Sequence, residues 1–134
     1  MVLRKNFFKI AFVLWMALVT VLCLISFSNE EFEEIEFTHL DKVVHFTFYF
    51  VASILGALAI REIKHGTISF KKAAAIIFVS VALYGIIIEV LQYSLTTDRS
   101  GDVFDAITNA IGALAGIYIL KFVFSRKSQL KWKN

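Results

Sequence analysis

Four long apolar blocks, joined only by short polar connections, decide what this chain can become. They run over residues 10–27, 43–60, 73–95 and 103–124. A bilayer core about 30 Å thick is crossed by roughly 20 residues of helix, which is about the length of each block. Inside lipid the backbone must satisfy its own hydrogen bonds, so only helices or a closed barrel can span it. A barrel would show segments of about ten residues with alternating polarity, and none occurs. The expected fold class is therefore all-α, a polytopic transmembrane four-helix bundle forming a single membrane domain over residues 1–134. The composition agrees: 58% of the 134 residues are hydrophobic and none is proline, far from the statistics of a water-soluble domain.

Charge sorts by segment and predicts the orientation. The start of the chain (Arg4, Lys5, Lys9), the connection between the second and third blocks (Arg61, Lys64, Lys71, Lys72) and the tail (Lys121, Arg126, Lys127, Lys131, Lys133) hold all the bases except Lys42 and Arg99, with Glu62 as their one acid. Positively charged connections stay in the cytoplasm, so both termini are expected inside. The net charge of +3 then faces anionic lipid headgroups rather than nucleic acid. No basic stretch with interleaved aromatics suggests a nucleic-acid reader.

The first block has a second reading as a signal peptide, because it leads to the small residues Ser26 and Ser28. Retaining it is preferred, since the run is long for a signal and an even helix count matches a basic tail inside. Cys23, the only cysteine, lies in this block and reads as a small apolar residue. The connection from Asn29 to Phe37 mixes five glutamates with Phe32, Ile35 and Phe37 and suits a short amphipathic segment at the interface. Gly66 and Thr67 mark a turn between the second and third blocks. Gly101 marks another before the fourth, with Ser100 or Asp102 as a helix cap.

Gly112 and Gly116 form a GxxxG pair in the fourth block. Small residues let helix backbones approach closely. The pair is expected to pack within the bundle, with a homodimer through the same two glycines as the alternative.

Ionisable side chains within a membrane cost roughly 2.5 to 3.5 kcal/mol each on the mildest scale and mark function by default. The second block opens with Asp41, Lys42, His45 and Tyr49, the third closes with Glu89 and Gln92, and the fourth opens with Asp102, Asp105 and Asn109, after Arg99 in the turn. Spacings of three and four put each set on one helix face. The predicted topology puts all three faces in the outer leaflet. At 1.5 Å per residue, Tyr49, Glu89 and Asn109 fall to a similar depth, roughly 9 to 12 Å below the mouth. His45, Gln92 and Asp105 form a middle layer, with Asp41, Arg99 and Asp102 at the mouth. Three helices lining one outward-facing polar pocket is the expectation, and a network that merely glues helices together is its rival.

His39, Asp41 and His45 match no established metal-ligand spacing, so neither a metal nor another cofactor is expected. Ser100-Gly101 lacks the preceding glycine of a nucleophile elbow. The preferred function is a non-enzymatic binder of an amphiphilic envelope molecule. Lys42 and Arg99 would meet an anionic headgroup, with His45, Gln92 and Asn109 as hydrogen-bonding groups and Asp41, Glu89, Asp102 and Asp105 fixing the bases. Two alternatives stay open: an intramembrane enzyme using His45 with a carboxylate on a lipid-linked substrate, and a small proton-coupled carrier.

These same residues carry a resemblance. Asp41-Lys42 with His45, Phe46 and Tyr49, Glu89 with Gln92, and Arg99, Asp102, Asp105, Asn109 and Gly112 together resemble the VanZ-like family of small four-helix bacterial membrane proteins. The resemblance covers about residues 41–120, the first block matching in type only, and the proline expected between Gln92 and Arg99 is missing. It implies a place in the bacterial envelope among membrane lipids. For the family's namesake it implies lowered susceptibility to teicoplanin, a lipid-tailed glycopeptide, so a lipoglycopeptide or a lipid-linked cell-wall precursor is the implied partner class.

The orientation is directly testable. Reporter fusions after Glu36 and Gly101 are expected to report the outside and those after Gly66 and Asn134 the inside; an outside signal at Asn134 would defeat this topology.

Overall fold

The computed structural model describes residues 6–25, 34–95, 103–126 and 132, with side chains placed for these except 34–39 and 126. The described chain is four α-helices and no sheet: α1 Phe7–Leu24, α2 Glu34–Ile63, α3 Phe70–Leu95 and α4 Val103–Arg126. All four are long and apolar enough to cross a membrane, the apolar part of α2 running Leu40–Ile63. Their lipid-facing sides stay apolar and exposed, as at Val79, Leu83, Ile107 and Leu114.

Several boundaries differ by two or three residues from the apolar blocks, and the start of α2 by more. α1 lies about three residues earlier than expected, because Ile25 turns to an extended conformation. α2 begins upstream of its apolar span, at Glu34, so residues 34–37 of the expected separate amphipathic segment continue the helix. Glutamate is a good helix former and no glycine or proline interrupts. Hydropathy marks the membrane edge, which is not where a helix has to stop. Residues 29–33 of that segment lie outside the described residues.

The bundle is organised around α2, which packs against each of the other helices. Its closest neighbour is α4. Gly112 and Gly116 are buried there, and a Cβ at Gly112 would run into the backbone carbonyl of Phe46, one at Gly116 into the carbonyl of Phe50 and Ser53 Oγ. The small-residue face of α4 is therefore spent inside the chain against α2.

Hydrogen bonds fasten α1 to the same body. Trp15 Nε1 donates to the Phe48 carbonyl at 2.9 Å, Gln92 Nε2 to the Cys23 carbonyl at 2.9 Å, and the Tyr84 hydroxyl meets Thr20 Oγ1 and the Met16 carbonyl. Val19 and Cys23 are buried against Ile88.

At the basic end, α2 closes with Gly66 N–H donating to Arg61 O and His65 N–H to Glu62 O, the pairing of a Schellman motif. The left-handed position falls on His65, with φ 47°, and Gly66 follows at φ 73°. The expected turn is there, one residue earlier than the glycine suggested. Trp132 folds back over this end: its Nε1 donates to the Ile68 carbonyl at 3.0 Å, and its ring meets Phe70 and Phe124 edge-on beneath the Arg61 guanidinium.

The close α2–α4 contact predicts an asymmetry in α4. Gly112→Ala and Gly116→Ala are each expected to cost about 1 to 3 kcal/mol, the scale of overpacking. Leu114→Ala on the exposed side is expected to be close to neutral. Reversible unfolding in mild detergent measures all three, and equal stabilities would contradict the packing.

Candidate functional site

The end of the bundle opposite Trp132 gathers the charged residues of three helices. Lys42 Nζ donates to Asp105 Oδ1 at 3.0 Å, joining α2 to α4. Beside this pair His45 meets α3 and α4 together.

His45 is the hub. It is 1% exposed. Its Nδ1 lies 3.1 Å from Asn109 Oδ1 and 3.6 Å from Glu89 Oε1, and its Nε2 lies 3.8 Å from Asp41 Oδ1. Nδ1 is within hydrogen-bond distance of Asn109 Oδ1, with the Glu89 carboxylate beyond it, which favours the tautomer that carries its proton on Nδ1 and donates to Asn109. The ring is thereby fixed in orientation, with Nε2 turned toward Asp41. Asp105 and Glu89 are nearly as buried as His45, at 7% and 9% exposure.

His45, expected in a middle layer with Gln92 and Asp105, stands close to Asp105 and also meets Glu89 and Asn109, which were expected deeper. Gln92 turns toward α1 and holds the Cys23 carbonyl. Tyr49 lies below His45 with its ring packed near Tyr84. Arg99, Asp102 and Ser100 lie outside the described residues, as do the side chain of His39 and the outer glutamates.

Two features were not read from sequence. Gly85 of α3 faces the site from beneath, where an added Cβ would come within 3.1 Å of the Tyr49 ring and 3.2 Å of Asn109 Nδ2. Beside it, the buried Tyr49 hydroxyl and Asn109 Nδ2 have no hydrogen-bond partner among the described residues. A lone glycine inside an apolar helix was the available signal. Second, Asp41, His45 and Asp105 bring one ligand atom each within 4.8 Å of one another, a spacing able to hold a metal ion. Ligand spacing along one segment did not reveal it, because the third member comes from another helix.

The outcome is a buried histidine among carboxylates from three helices, toward one end of the candidate membrane spans. No curated protein and no solved structure matches the chain. The VanZ/LLP1 family model matches residues 3–124, which extends the likeness over α1 as well as over the polar helices. This bacterial multi-pass membrane protein thus belongs to the VanZ/LLP1 family.

Proposed function

We propose that this protein is an intramembrane enzyme whose reacting centre is His45 with its carboxylates, acting on the polar head of a lipid-linked envelope substrate. The observation that carries the reading is His45 itself, 1% exposed, with Glu89 and Asn109 at one ring nitrogen and Asp41 at the other. Interhelical polar pairs in membranes contribute only about 0.6 kcal/mol on average. Keeping three carboxylates and a histidine near the apolar core costs several times that. An orienting acceptor on one side of a histidine, with the other side directed at a charged cluster, is what catalysis requires.

Position supports the substrate class. The cluster stands toward one end of the candidate membrane spans, and the helix faces beside it leave the apolar Leu40, Val43, Phe104 and Ile107 exposed. A substrate with its chain in the bilayer would bring its head to that level. Lys42, partly exposed at 31%, is the described cation placed to meet an anionic head, with Arg99 as a second from the turn. Gln92, Asn109 and Tyr49 supply hydrogen-bonding groups. Both termini in the cytoplasm would put this centre at the outer leaflet, where lipid-linked cell-wall precursors and lipid-tailed glycopeptides are met.

The same residues would serve a site that binds such an amphiphile without turning it over, or a carrier that moves protons with it. Three variants separate these outcomes in proteoliposomes supplied with lipid-linked cell-wall precursors. His45→Ala is expected to lower turnover by at least about 10²-fold, the scale of one lost catalytic group, while folded yield and precursor binding persist. Glu89→Gln and Asp105→Asn are expected to lower it less. Saturable binding by the parent protein without turnover would replace the enzyme with a binder, and pH-dependent flux lost in His45→Ala would replace it with a carrier. Poor folding of all three variants, with an inactive parent, would reduce the cluster to structural glue.

A further inference from the structure

We infer that Asp41, His45 Nε2 and Asp105 form a binding site for one divalent transition-metal ion of the zinc or manganese type, with Glu89 and Asn109 as the groups that orient its histidine. Four observations converge on it. The three ligand atoms lie within 4.8 Å of one another, drawn from α2 and α4. His45 Nε2 and Asp41 Oδ1 are 3.8 Å apart, too long for a hydrogen bond between them. Two ligands of one tetrahedral ion sit about 3.4 Å apart when the bonds are about 2.1 Å. The present spacing therefore closes onto an ion by side-chain movements of about 1 Å.

The third observation is the far side of the ring. Nδ1 faces Asn109 Oδ1 at 3.1 Å and Glu89 Oε1 at 3.6 Å, so its proton is held there and Nε2 presents a lone pair toward Asp41 and Asp105. Metal-bound histidines are oriented in this way, by an oxygen acceptor on the other ring nitrogen, commonly a carboxylate. Glu89, His45 and the ion site form that series.

Charge is the fourth. Asp41 and Asp105 bring two carboxylates to the point where His45 Nε2 also arrives, and their attraction for a cation is strongest in a setting of low dielectric. Lys42 holds Asp105 Oδ1 at 3.0 Å and so competes with the ion for that carboxylate. One histidine with two carboxylates is a mixed nitrogen and oxygen set, which suits zinc or manganese better than calcium or a soft ion.

The consequence for the centre proposed above is chemical. A bound divalent ion would supply an activated water, for which the sequence offers no clear candidate, and a positive charge for developing negative charge beside that of Arg99. In that use the inference rests on the enzyme reading, but binding of the ion does not.

The test is a titration of the full chain, stripped with a chelator and held in detergent or nanodiscs, with Zn²⁺ and with Mn²⁺. Isothermal titration calorimetry and thermal stability are the readouts. One ion per chain is expected. Asp41→Asn, His45→Ala and Asp105→Asn should each weaken binding by at least about ten-fold, and Asn109→Ala or Glu89→Gln by about 10- to 100-fold, as loss of a histidine's orienting partner does. Lys42→Gln should tighten it. Asp41 has the most exposed side chain of the three ligands, at 20%, so its variant keeps the test decisive if the others fold poorly. Absence of saturable binding of both ions overturns the site, as does binding unchanged in Asp41→Asn and His45→Ala, which would assign the ion to other acids. Turnover that persists after chelation yet is lost in His45→Ala would overturn the ion and leave the enzyme. A single ion lost in the ligand variants of a parent without turnover would support the site and remove the enzyme.

Discussion

The approach of α4 to α2 sets the geometry on which everything else depends. At Gly112 and Gly116 there is no room for even one carbon between the helices, since the carbonyls of Phe46 and Phe50 occupy the place of a side chain. A contact that close tolerates little sliding, because any shift meets the next, larger residue. Register at the glycines is therefore register one turn away, at His45 with Asn109 and at Lys42 with Asp105. Small residues with no chemistry of their own hold the distances between the charged ones.

The two halves of the bundle divide their work accordingly. Away from the charged cluster, the core consists largely of small and aliphatic side chains, such as Ala52, Ala73, Ile77 and Val81, with Ser53 and Trp132 donating to backbone carbonyls. Within the cluster, buried polar groups on α2, α3 and α4 meet one another and make the three helices interdependent. α1 joins differently, through side chains that donate to backbone carbonyls, Trp15 to Phe48 and Gln92 to Cys23. Such contacts fix its position while adding no ionisable group to the cluster.

The number of helices, their approximate spans and the three polar faces were legible in the sequence because each is a local property. Apolar length gives a span, and spacing of three or four gives a face. The grouping of Asp41, His45, Glu89, Asp105 and Asn109 followed from topology alone. What was not legible depends on the true ends of helices and on partners from other helices. The edge of an apolar block does not mark the start of α2, which runs on to Glu34. Gln92 shares the face of Glu89, yet it reaches the backbone of α1, a contact about which spacing is silent. The convergence of Asp105 with Asp41 and His45 crosses from one helix to another, and the turn to His65 rather than Gly66 depends on which residue closes the last helical hydrogen bonds.

The pairing of α2 with α4 also bears on how such a chain is made. Insertion proceeds from the N-terminus, so α2 enters the membrane with Asp41, Lys42 and His45 before the partners that accept them exist. Asn109 lies 64 residues further along than His45, and Asp105 63 further than Lys42. Until those arrive, α2 carries polar groups whose individual insertion costs reach about 2.5 to 3.5 kcal/mol. In the folded protein α1 is joined to it through Trp15, which adds no partner for those groups. The fourth helix thus completes the second, whose polar groups find their places only once α4 stands beside it.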